Sequence, residues 1–333
     1  MAFLIVPNVL LFSSGNDNKK FPVLTLSNPS QSVTVFDKYY NENFGLKPQM
    51  VESYINFKLQ VLNEPPLPNR VVTGKDGWYF LGNQHKDLLN DSFGNYPFSK
   101  IELEKIKDKI QAIKEKLESK GIAFFIVVPP NKHRVYSEKL PFRLNQNTTR
   151  LEALNSYLKN EIDFELIDLR DTLIASKDKE LLYYKTNTHW NDLGAFIGYQ
   201  KTVNALNLDV TKVNISDYNL EYNPIKRGDI TEMINLKFKE SAVFLNKKTN
   251  AEIIRLKSNR NHLHFKNPNG NKKLIMYRDS FSNAWIQFFN QSFGEIIYFR
   301  GYKINDHIVT KEKPDVIVFE IIERNLSSIL LDL

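Results

Sequence analysis

The sequence contains no cysteine, which excludes disulfide bonds, thiolate metal sites and a cysteine nucleophile. It has only 13 glycines in 333 residues, and they form no glycine-rich phosphate loop, which argues against nucleotide binding. The 45 Lys and Arg residues exceed the 38 Asp and Glu residues by +7, but they form no compact basic block. We therefore expect no nucleic-acid partner, whereas an acidic glycan or an anionic membrane surface fits the mild basic excess equally well.

The N-terminal segment, residues 1–12 (MAFLIVPNVLLF), is almost wholly apolar but too short to span a bilayer. It also lacks the basic residues that open a signal peptide. Two interpretations stay open: a buried N-terminal strand, or the tail of a signal anchor whose beginning precedes this chain. We treat residues 1–70 as an N-terminal extension, irregular except for a helix over about 41–62, with three prolines at its end.

From residue 71 onwards the sequence predicts helices and strands in alternation. A capping box of Ser99 and Glu102 begins an amphipathic helix, and Gly121 ends it. The predicted elements that follow are strand 122–128, helix 151–160, strand 164–169, helix 193–206, strand 273–277, helix 281–291 and strands 295–299 and 315–321. Strands separated by helices or long connections predict a central parallel sheet. The polar, Asn- and Lys-rich residues 209–272 are expected to form a small inserted subdomain of short strands and loops.

Residues 276–281 (MYRDSF) run from an apolar strand directly into a helix. Catalytic groups in open α/β sheets lie beyond the carboxyl ends of the strands, where Ser280 is expected. A serine in the first turn of a helix also has backbone N–H groups beside it that can stabilise an oxyanion. The alternative is structural, because Asp279 and Ser280 before a helix also make a good N-cap.

A second polar segment, residues 185–191 (KTNTHWN), contains a histidine. His189 can accept a proton from a serine only if another group fixes its tautomer. Asn187, two residues earlier, could offer its amide oxygen to the imidazole N–H. Taken alone, a histidine in a polar loop is more often an ordinary surface residue.

The other histidines give weaker signals. His262 and His264 alternate as on a strand, so both could face one ligand. No third ligand lies nearby in the sequence, and we expect no metal site. His85, His133 and His307 have no companions that suggest a site.

Six linked motifs, in order, cover the chain from about residue 50 to its end. They are 72–80 (VTGKDGWYF), 128–132 (VPPNK), 184–191 (YKTNTHWN) with 194–195 (GA), 227–230 (RGDI), 278–281 (RDSF) and 320–326 (EIIERNL). Together they resemble the alginate O-acetyltransferase family of the AlgX and AlgJ type, within the SGNH hydrolase superfamily. The resemblance implies a three-layer α/β/α domain over residues 71–333. It also implies a circularly permuted motif order, because the histidine block here precedes the serine block.

The resemblance assigns Ser280 as nucleophile, His189 as base and Asn187 as third member of a triad. It implies that the backbone N–H of Ser280 and the side chain of Tyr302 bind the oxyanion. The remaining residues expected to bind substrate or oxyanion are Arg324, Trp190, Arg278 and Lys132. The strand 315–321 is expected beside the strand that carries Ser280, which would bring Glu323 near the site. No metal or soluble cofactor is implied.

Asn187 departs from the family pattern, which has Asp two residues before the histidine. An amide can orient the imidazole ring, but it cannot stabilise an imidazolium electrostatically. In serine proteases the same change lowers turnover on the order of 10⁴-fold. The sequence is therefore consistent with a slow natural enzyme, a non-catalytic relative or an engineered variant. Asp192 or Asp168 would be the nearest replacements in sequence.

The resemblance also implies partners and a location. The expected acceptor is an exported or cell-surface polysaccharide, and the expected acetyl donor is a membrane-bound O-acyltransferase. This would place the domain in the periplasm or on the outer face of the cytoplasmic membrane, with or without an N-terminal anchor. The chain ends soon after Glu323, as expected of a catalytic domain without an appended carbohydrate-binding module. Two alternatives stay open: a carbohydrate acetylesterase, and a polysaccharide-binding relative with an impaired site.

Overall fold

The computed structural model describes residues 21–333 except positions 26, 63, 146, 250 and 251. The apolar segment 1–12 lies outside the described residues, so both interpretations of it stay predictions. The rest of the chain falls into two compact units, one ending at Pro66 and including residues 234–236, the other formed by residues 67–233 and 237–333. In the described part of the chain, every helix is too short or too polar to span a bilayer.

The N-terminal unit is more helical than the sequence suggested. Helix α1 (Pro29–Asn43) begins at Asn28, whose side chain accepts a hydrogen bond from Gln31 N–H. Helix α2 (Lys47–Asn56) follows and continues as a π-helix over Phe57–Val61. The single helix predicted over 41–62 is therefore wrong in its first residues, because Leu46 has a φ of 57° and breaks the helix there.

The second unit is an α/β fold around one seven-stranded sheet, with two separate two-stranded pairs. Its strands are β1 (Val71–Thr73), β2 (Tyr79–Leu81), β3 (Ala123–Val128), β4 (Ile167–Asp168), β5 (Tyr218–Pro224), β6 (Ser241–Lys247), β7 (Ile254–Ser258), β8 (His262–Lys266), β9 (Lys273–Arg278), β10 (Glu295–Arg300) and β11 (Val316–Glu320). Seven of them form the central sheet in the order β4-β3-β11-β9-β10-β8-β7, with parallel pairing from β4 to β10. Strand β9 is the middle strand, and the predicted adjacency of β11 and β9 is confirmed.

Helices pack on both faces of this sheet. They are α3 (Leu88–Ser92), α4 (Lys100–Glu118), α5 (Lys132–Val135), α6 (Arg150–Ile162), α7 (Arg170–Ser176), α8 (Asp192–Leu206), α9 (Asp229–Met233), α10 (Ile286–Ser292), α11 (Asp306–Glu312) and α12 (Leu326–Asp332). Alternate residues of β9 enter opposite cores: Leu274 and Met276 pack with α8 and α10, while Ile275 and Tyr277 pack with α4, α6 and α12. This is why β9 is apolar at successive positions, as strands covered on both faces are.

Several of these elements begin or end at residues that the sequence predicted. The capping box of Ser99 and Glu102 is present at the start of α4, and Gly121 adopts a φ of 71° after its end. The strand predicted over 164–169 is only two residues long, because it lies at the edge and pairs with Val127 and Val128 alone. Tertiary pairing set that length, which a local pattern cannot show.

The inserted subdomain predicted over 209–272 needs correction. Strands β5 and β6 do form a separate antiparallel pair. Strands β7 and β8, however, extend the central sheet by antiparallel pairing, with β8 against β10. The second half of the segment therefore belongs to the main sheet, and the sheet is mostly rather than wholly parallel.

Candidate active site

Ser280 lies just beyond the carboxyl end of β9, at the start of a short 3₁₀ helix over Phe281–Asn283. It occupies the N-cap position, but its side chain makes no capping hydrogen bond. The capping acceptor is Asp279, whose Oδ1 accepts the N–H of Phe281 at 2.9 Å. The cap interpretation therefore fits Asp279, and the hydroxyl of Ser280 is free for other contacts.

That hydroxyl contacts the histidine. Ser280 Oγ lies 2.9 Å from His189 Nε2, and His189 Nδ1 lies 2.8 Å from Asn187 Oδ1. The same amide oxygen accepts the backbone N–H of His189 at 3.0 Å. The structure thus brings together the three residues that were predicted to form a triad.

These contacts fix the direction of each hydrogen bond. The Asn187 atom that accepts a backbone N–H must be the amide oxygen, so Nδ1 of His189 carries the proton that it donates to this oxygen. In the neutral imidazole with this tautomer, Nε2 carries no proton and accepts the hydroxyl proton of Ser280. This is the hydrogen-bond order that a general base needs to activate a serine.

A carboxylate also reaches the histidine, and it comes from neither position suggested by sequence proximity. Asp229, the first residue of α9, places Oδ2 3.5 Å from His189 Nδ1. Asp192 accepts the N–H of Leu245, and Asp168 accepts the N–H of Arg170, so the expectation for those two residues is wrong.

Asp229 also holds the residue beside the histidine. Its Oδ1 accepts the N–H of Thr188 at 2.7 Å, and its Oδ2 accepts the hydroxyl of Thr188 at 2.6 Å. Although burial raises the pKa of Asp229, hydrogen bonds from His189 and Thr188 outweigh burial and hold it below the ordinary value. Asp229 belongs to the motif 227–230, but the sequence analysis predicted no role for it.

Lys132 holds in place residues 184–191, called here the histidine segment. Its side chain is 3% exposed, and Nζ donates to three backbone carbonyls, those of Tyr184 at 3.1 Å, Lys185 at 3.0 Å and Asn187 at 2.8 Å. Lys132 was predicted to bind substrate or oxyanion, but these contacts make it a buried support of the segment that carries His189.

Glu240, which lies in the predicted insertion 209–272, also holds the histidine segment in place. Its carboxylate accepts the N–H groups of Lys185 at 2.6 Å and Thr186 at 3.0 Å, and the hydroxyl of Thr186 at 2.5 Å. Sequence reasoning missed this residue, because no local motif surrounds it.

Trp190 and Arg278 are two further buried residues in the region of the site. Trp190 is 2% exposed, and its Nε1 donates to the carbonyl of Phe281 at 2.9 Å. This bond links the histidine segment to residues 278–283, called here the serine turn. Arg278 is 3% exposed and donates to the carbonyl of Asp279 at 3.0 Å and to Asn283 Oδ1 at 2.6 Å. Both were predicted to bind substrate or oxyanion, and in the structure both brace the turn that carries Ser280.

Arg324 and Tyr302 are the remaining residues that were predicted to bind substrate or oxyanion. The guanidinium of Arg324 lies 5.2 Å from the ring centroid of Phe281. The hydroxyl of Tyr302 donates its one proton to the carbonyl of Glu320 at 2.7 Å, which leaves none for an oxyanion. The backbone N–H of Ser280, in contrast, donates to no acceptor among the described residues, and it stays the better candidate for that role.

Two buried glutamates lie at and just after the end of β11, and the first of them, Glu320, contacts the turn that carries Ser280. Glu320 Oε2 accepts the N–H of Asp279 at 3.0 Å, and burial together with the Asp279 carboxylate raises the pKa of Glu320 well above its ordinary value. Glu323 Oε2 accepts the N–H of Asn131 at 2.7 Å, and burial raises the pKa of Glu323 to about 7. Both carboxyls are therefore held in surroundings that favour the protonated form.

We expect Glu323→Gln to stabilise the protein at pH 8 and to change little at pH 4.5. The folded chain binds the Glu323 proton more tightly than the unfolded chain, so stability is lost as pH rises from 4.5 to about 7. Glutamine keeps an acceptor for Asn131 without this penalty, which is worth about 2 to 3 kcal/mol at pH 8. Urea unfolding at both pH values measures it, with the exposed Glu165→Gln as control. Equal gains at the two pH values would contradict the expectation.

The sequence model of the "SGNH hydrolase-like domain, acetyltransferase AlgX" family matches residues 71–262, more than half of the chain. The chain belongs to this AlgX family. The matched residues include Asn187, His189 and Asp229, whereas Ser280 lies beyond them and is placed by the structure.

Curated relatives agree with this assignment. The chain is 26% identical over 164 residues to a probable alginate O-acetylase AlgJ of Pseudomonas aeruginosa, covering 48% of this chain and 38% of the relative. It is 22% identical over 172 residues to a probable alginate O-acetylase AlgJ of Pseudomonas syringae pv. tomato, covering 50% and 40%. The matches thus span about two fifths of the relatives' length.

A solved structure supports the fold. Bacillus cereus PatB1 superposes with a TM-score of 0.57 at 18% sequence identity, covering 78% of this chain and 98% of that chain. At this identity the likeness concerns the fold alone, a mostly parallel sheet flanked by helices.

Proposed function

We propose that this chain is a polysaccharide O-acetyltransferase that works through an acetyl-enzyme on Ser280. The observation that carries the proposal is the 2.9 Å contact of Ser280 Oγ with the unprotonated Nε2 of His189, beyond the carboxyl end of β9. Membership of the AlgX family supports acetyl transfer as the reaction.

In the first step Ser280 Oγ attacks the carbonyl carbon of an acetyl ester, and its proton moves to His189 Nε2. The backbone N–H of Ser280 stabilises the negative oxygen of the tetrahedral intermediate. The intermediate collapses as the bond to the donor oxygen breaks, and His189 returns the proton to that oxygen. The products are the donor alcohol and acetyl-Ser280.

In the second step a sugar hydroxyl attacks the acetyl carbonyl. His189 Nε2 takes the hydroxyl proton, and the intermediate collapses as the bond to Ser280 Oγ breaks. The proton then passes to Ser280 Oγ, which restores the starting state. Water in place of the sugar would give an acetylesterase, so access of the acceptor decides between the two outcomes.

The proposed acceptor and donor rest on the family likeness rather than on contacts in this chain. The names of the AlgJ relatives support a polysaccharide acceptor. We propose a membrane-bound O-acyltransferase as the source of the acetyl group. The domain would then work in the periplasm or on the outer face of the cytoplasmic membrane.

The test uses the protein with 4-nitrophenyl acetate, with and without an acceptor oligosaccharide. We expect a burst of nitrophenol, acetyl on Ser280 in fragment mass spectra, and acetylated sugar when the acceptor is present. Fragmentation must separate Ser280 from Ser282, two residues away, and Ser280→Ala is the control. Free acetate as the sole product with every acceptor would favour the esterase. Absence of both turnover and acetylation would overturn the proposal and favour a glycan-binding relative.

A further inference from the structure

His189 becomes an imidazolium each time it takes the proton of Ser280, and Asn187 has no charge to stabilise it. Asp229 Oδ2, at 3.5 Å from His189 Nδ1, is close enough to do so. Among the described residues no other carboxylate lies within 4.0 Å of this imidazole. The charge that Asn187 lacks is therefore present in the site, supplied from a different part of the chain.

Thr188 links the two groups. Its hydroxyl donates to Asp229 Oδ2 at 2.6 Å and lies 3.1 Å from His189 Nδ1. Because the hydroxyl proton is directed at the carboxylate, the Thr188 oxygen can only accept from Nδ1–H. The proton on Nδ1 is thus shared between Asn187 Oδ1 at 2.8 Å and Thr188 Oγ1 at 3.1 Å. A hydroxyl that donates to a carboxylate is a stronger acceptor than an isolated one.

Other charged groups face Asp229. Burial lowers the pKa of Lys132, Arg324 and His85, and the Asp229 carboxylate partly offsets that lowering in each case. Among the described residues, none of these three lies within 4.0 Å of the Asp229 carboxylate, whereas His189 does. The hydrogen-bonded partners of Asp229 are consequently on the histidine segment, and the two cations act on it from farther away.

The fold holds Asp229 against this segment. The N–H groups of Ile230 and Thr231, in the first turn of α9, donate to the carbonyl of Thr186 at 3.2 and 3.4 Å. A Cβ at Gly228 would lie 2.5 Å from that carbonyl oxygen, so only glycine allows this approach. The placement of Asp229 beside His189 is therefore built into the backbone.

We propose that Asp229, acting through the Thr188 hydroxyl, is the positioning residue that supplies the negative charge for His189, while Asn187 fixes the tautomer. The proposal rests on the proposed acetyl transfer for its catalytic meaning. No proton leaves Nδ1 in this arrangement; Nε2 alone takes up and returns the proton that is exchanged with Ser280 and the substrate. The site then consists of five cooperating residues, Ser280, His189, Asn187, Thr188 and Asp229, in place of a triad with a disabled third member.

A structural role for Asp229 is the competing explanation, because the carboxylate also binds the backbone of Thr188. Asp229→Asn removes the charge and keeps an acceptor. Thr188→Val removes the link while leaving Asp229 in place, and Thr188→Ser keeps the hydroxyl. Glu232→Gln, a neutralised carboxylate exposed on the same helix, is the matched control. Thermal unfolding checks that each variant is folded.

We expect Asp229→Asn to lower kcat about 10- to 100-fold, with little change in KM, and to move the acidic limb of the kcat/KM profile about one unit to lower pH. Thr188→Val leaves the Asp229 charge 3.5 Å from His189 Nδ1, so we expect a smaller loss of kcat and a smaller shift of the acidic limb, with Thr188→Ser recovering most of the loss. Asn187→Asp is expected to raise kcat at least about tenfold more in the Asp229→Asn background than in the unaltered protein, because a carboxylate at either position supplies the charge.

An NMR measurement that needs no turnover separates this proposal from the proposed function. We expect a low-field resonance from His189 Nδ1–H that moves upfield in Asp229→Asn and Thr188→Val, but not in Glu232→Gln. If the protein neither turns over nor acetylates yet the resonance moves, the positioning role stands and the transferase proposal falls. If the protein is active but neither the resonance nor the acidic limb moves, or Asn187→Asp fails to compensate, Asp229 only holds the loop and this proposal is overturned.

Discussion

Ser280→Ala, His189→Ala and the double variant are each expected to lower kcat/KM for acetyl transfer by a similar factor, on the order of 10⁴ to 10⁶. The reason is that the serine nucleophile and its base act as one unit. Removing either group leaves only the activity that substrate binding and the oxyanion site provide. The 2.9 Å contact between Ser280 Oγ and His189 Nε2 is what makes the losses overlap.

Steady-state kinetics on a chromogenic acetyl ester measures this overlap, with thermal unfolding to show that the variants are folded. His264→Ala is the matched control, because His264 contacts Glu295 at 2.7 Å on β10 and does not contact the serine turn. Losses that multiply in the double variant would mean that the two residues act independently. That result would contradict the acyl-enzyme mechanism drawn from their contact.

The fold was predictable where the determining signal is local. The capping box at Ser99 and the apolar residues of β9 each act within one element, so the sequence located both elements. The partner of β8 was not predictable in this way. A short strand in a polar segment carries no mark of the sheet that it joins, and its pairing with β10 depends on residues about thirty positions away.

The same distinction between local signals and distant contacts applies to the residues of the site. Ser280 follows a buried strand, and Asn187 precedes His189 by two residues, so both relations are visible in short motifs. The contact of Asp229 with Thr188 joins residues 41 positions apart and depends on the close approach at Gly228. No residue near Asp229 in sequence indicates that contact.

The residues predicted to bind substrate or oxyanion show a further limit of motif reasoning. Among these residues, the matched motifs include Lys132, Trp190 and Arg278. In the structure all three are buried and donate to backbone carbonyls of the segments that carry His189 and Ser280. A motif marks that a residue belongs to the site region, but it does not tell whether the side chain faces the substrate or holds the backbone. Burial and hydrogen-bond partners decide that question.

Lys132→Met is expected to lower the free energy of unfolding by about 2 to 4 kcal/mol and kcat by about 100-fold. Methionine keeps most of the apolar stem over Phe80 and Trp78 but removes one donor from each of three carbonyls. Among the described residues, only the carbonyl of Lys185 keeps another donor, the N–H of Tyr79. Burial lowers the pKa of Lys132 to about 7, because the buried ammonium is unfavourable. Removal of this ammonium therefore offsets part of the loss in the free energy of unfolding. The larger effect is on turnover, because the freed carbonyls belong to the segment that aims His189 at Ser280.

Urea unfolding and kinetics well below the melting temperature measure the two losses separately. Lys109→Met is the matched control: Lys109 Nζ donates to one carbonyl, that of Leu331, at 2.6 Å, and we expect a cost below about 1 kcal/mol with no change in kcat. A stable Lys132→Met protein with reduced kcat would mean that the ammonium serves the reaction rather than the loop. A protein as stable and as active as the control variant would show that the carbonyls find other donors, and that His189 is aimed by Glu240 and Asp229 without help from Lys132.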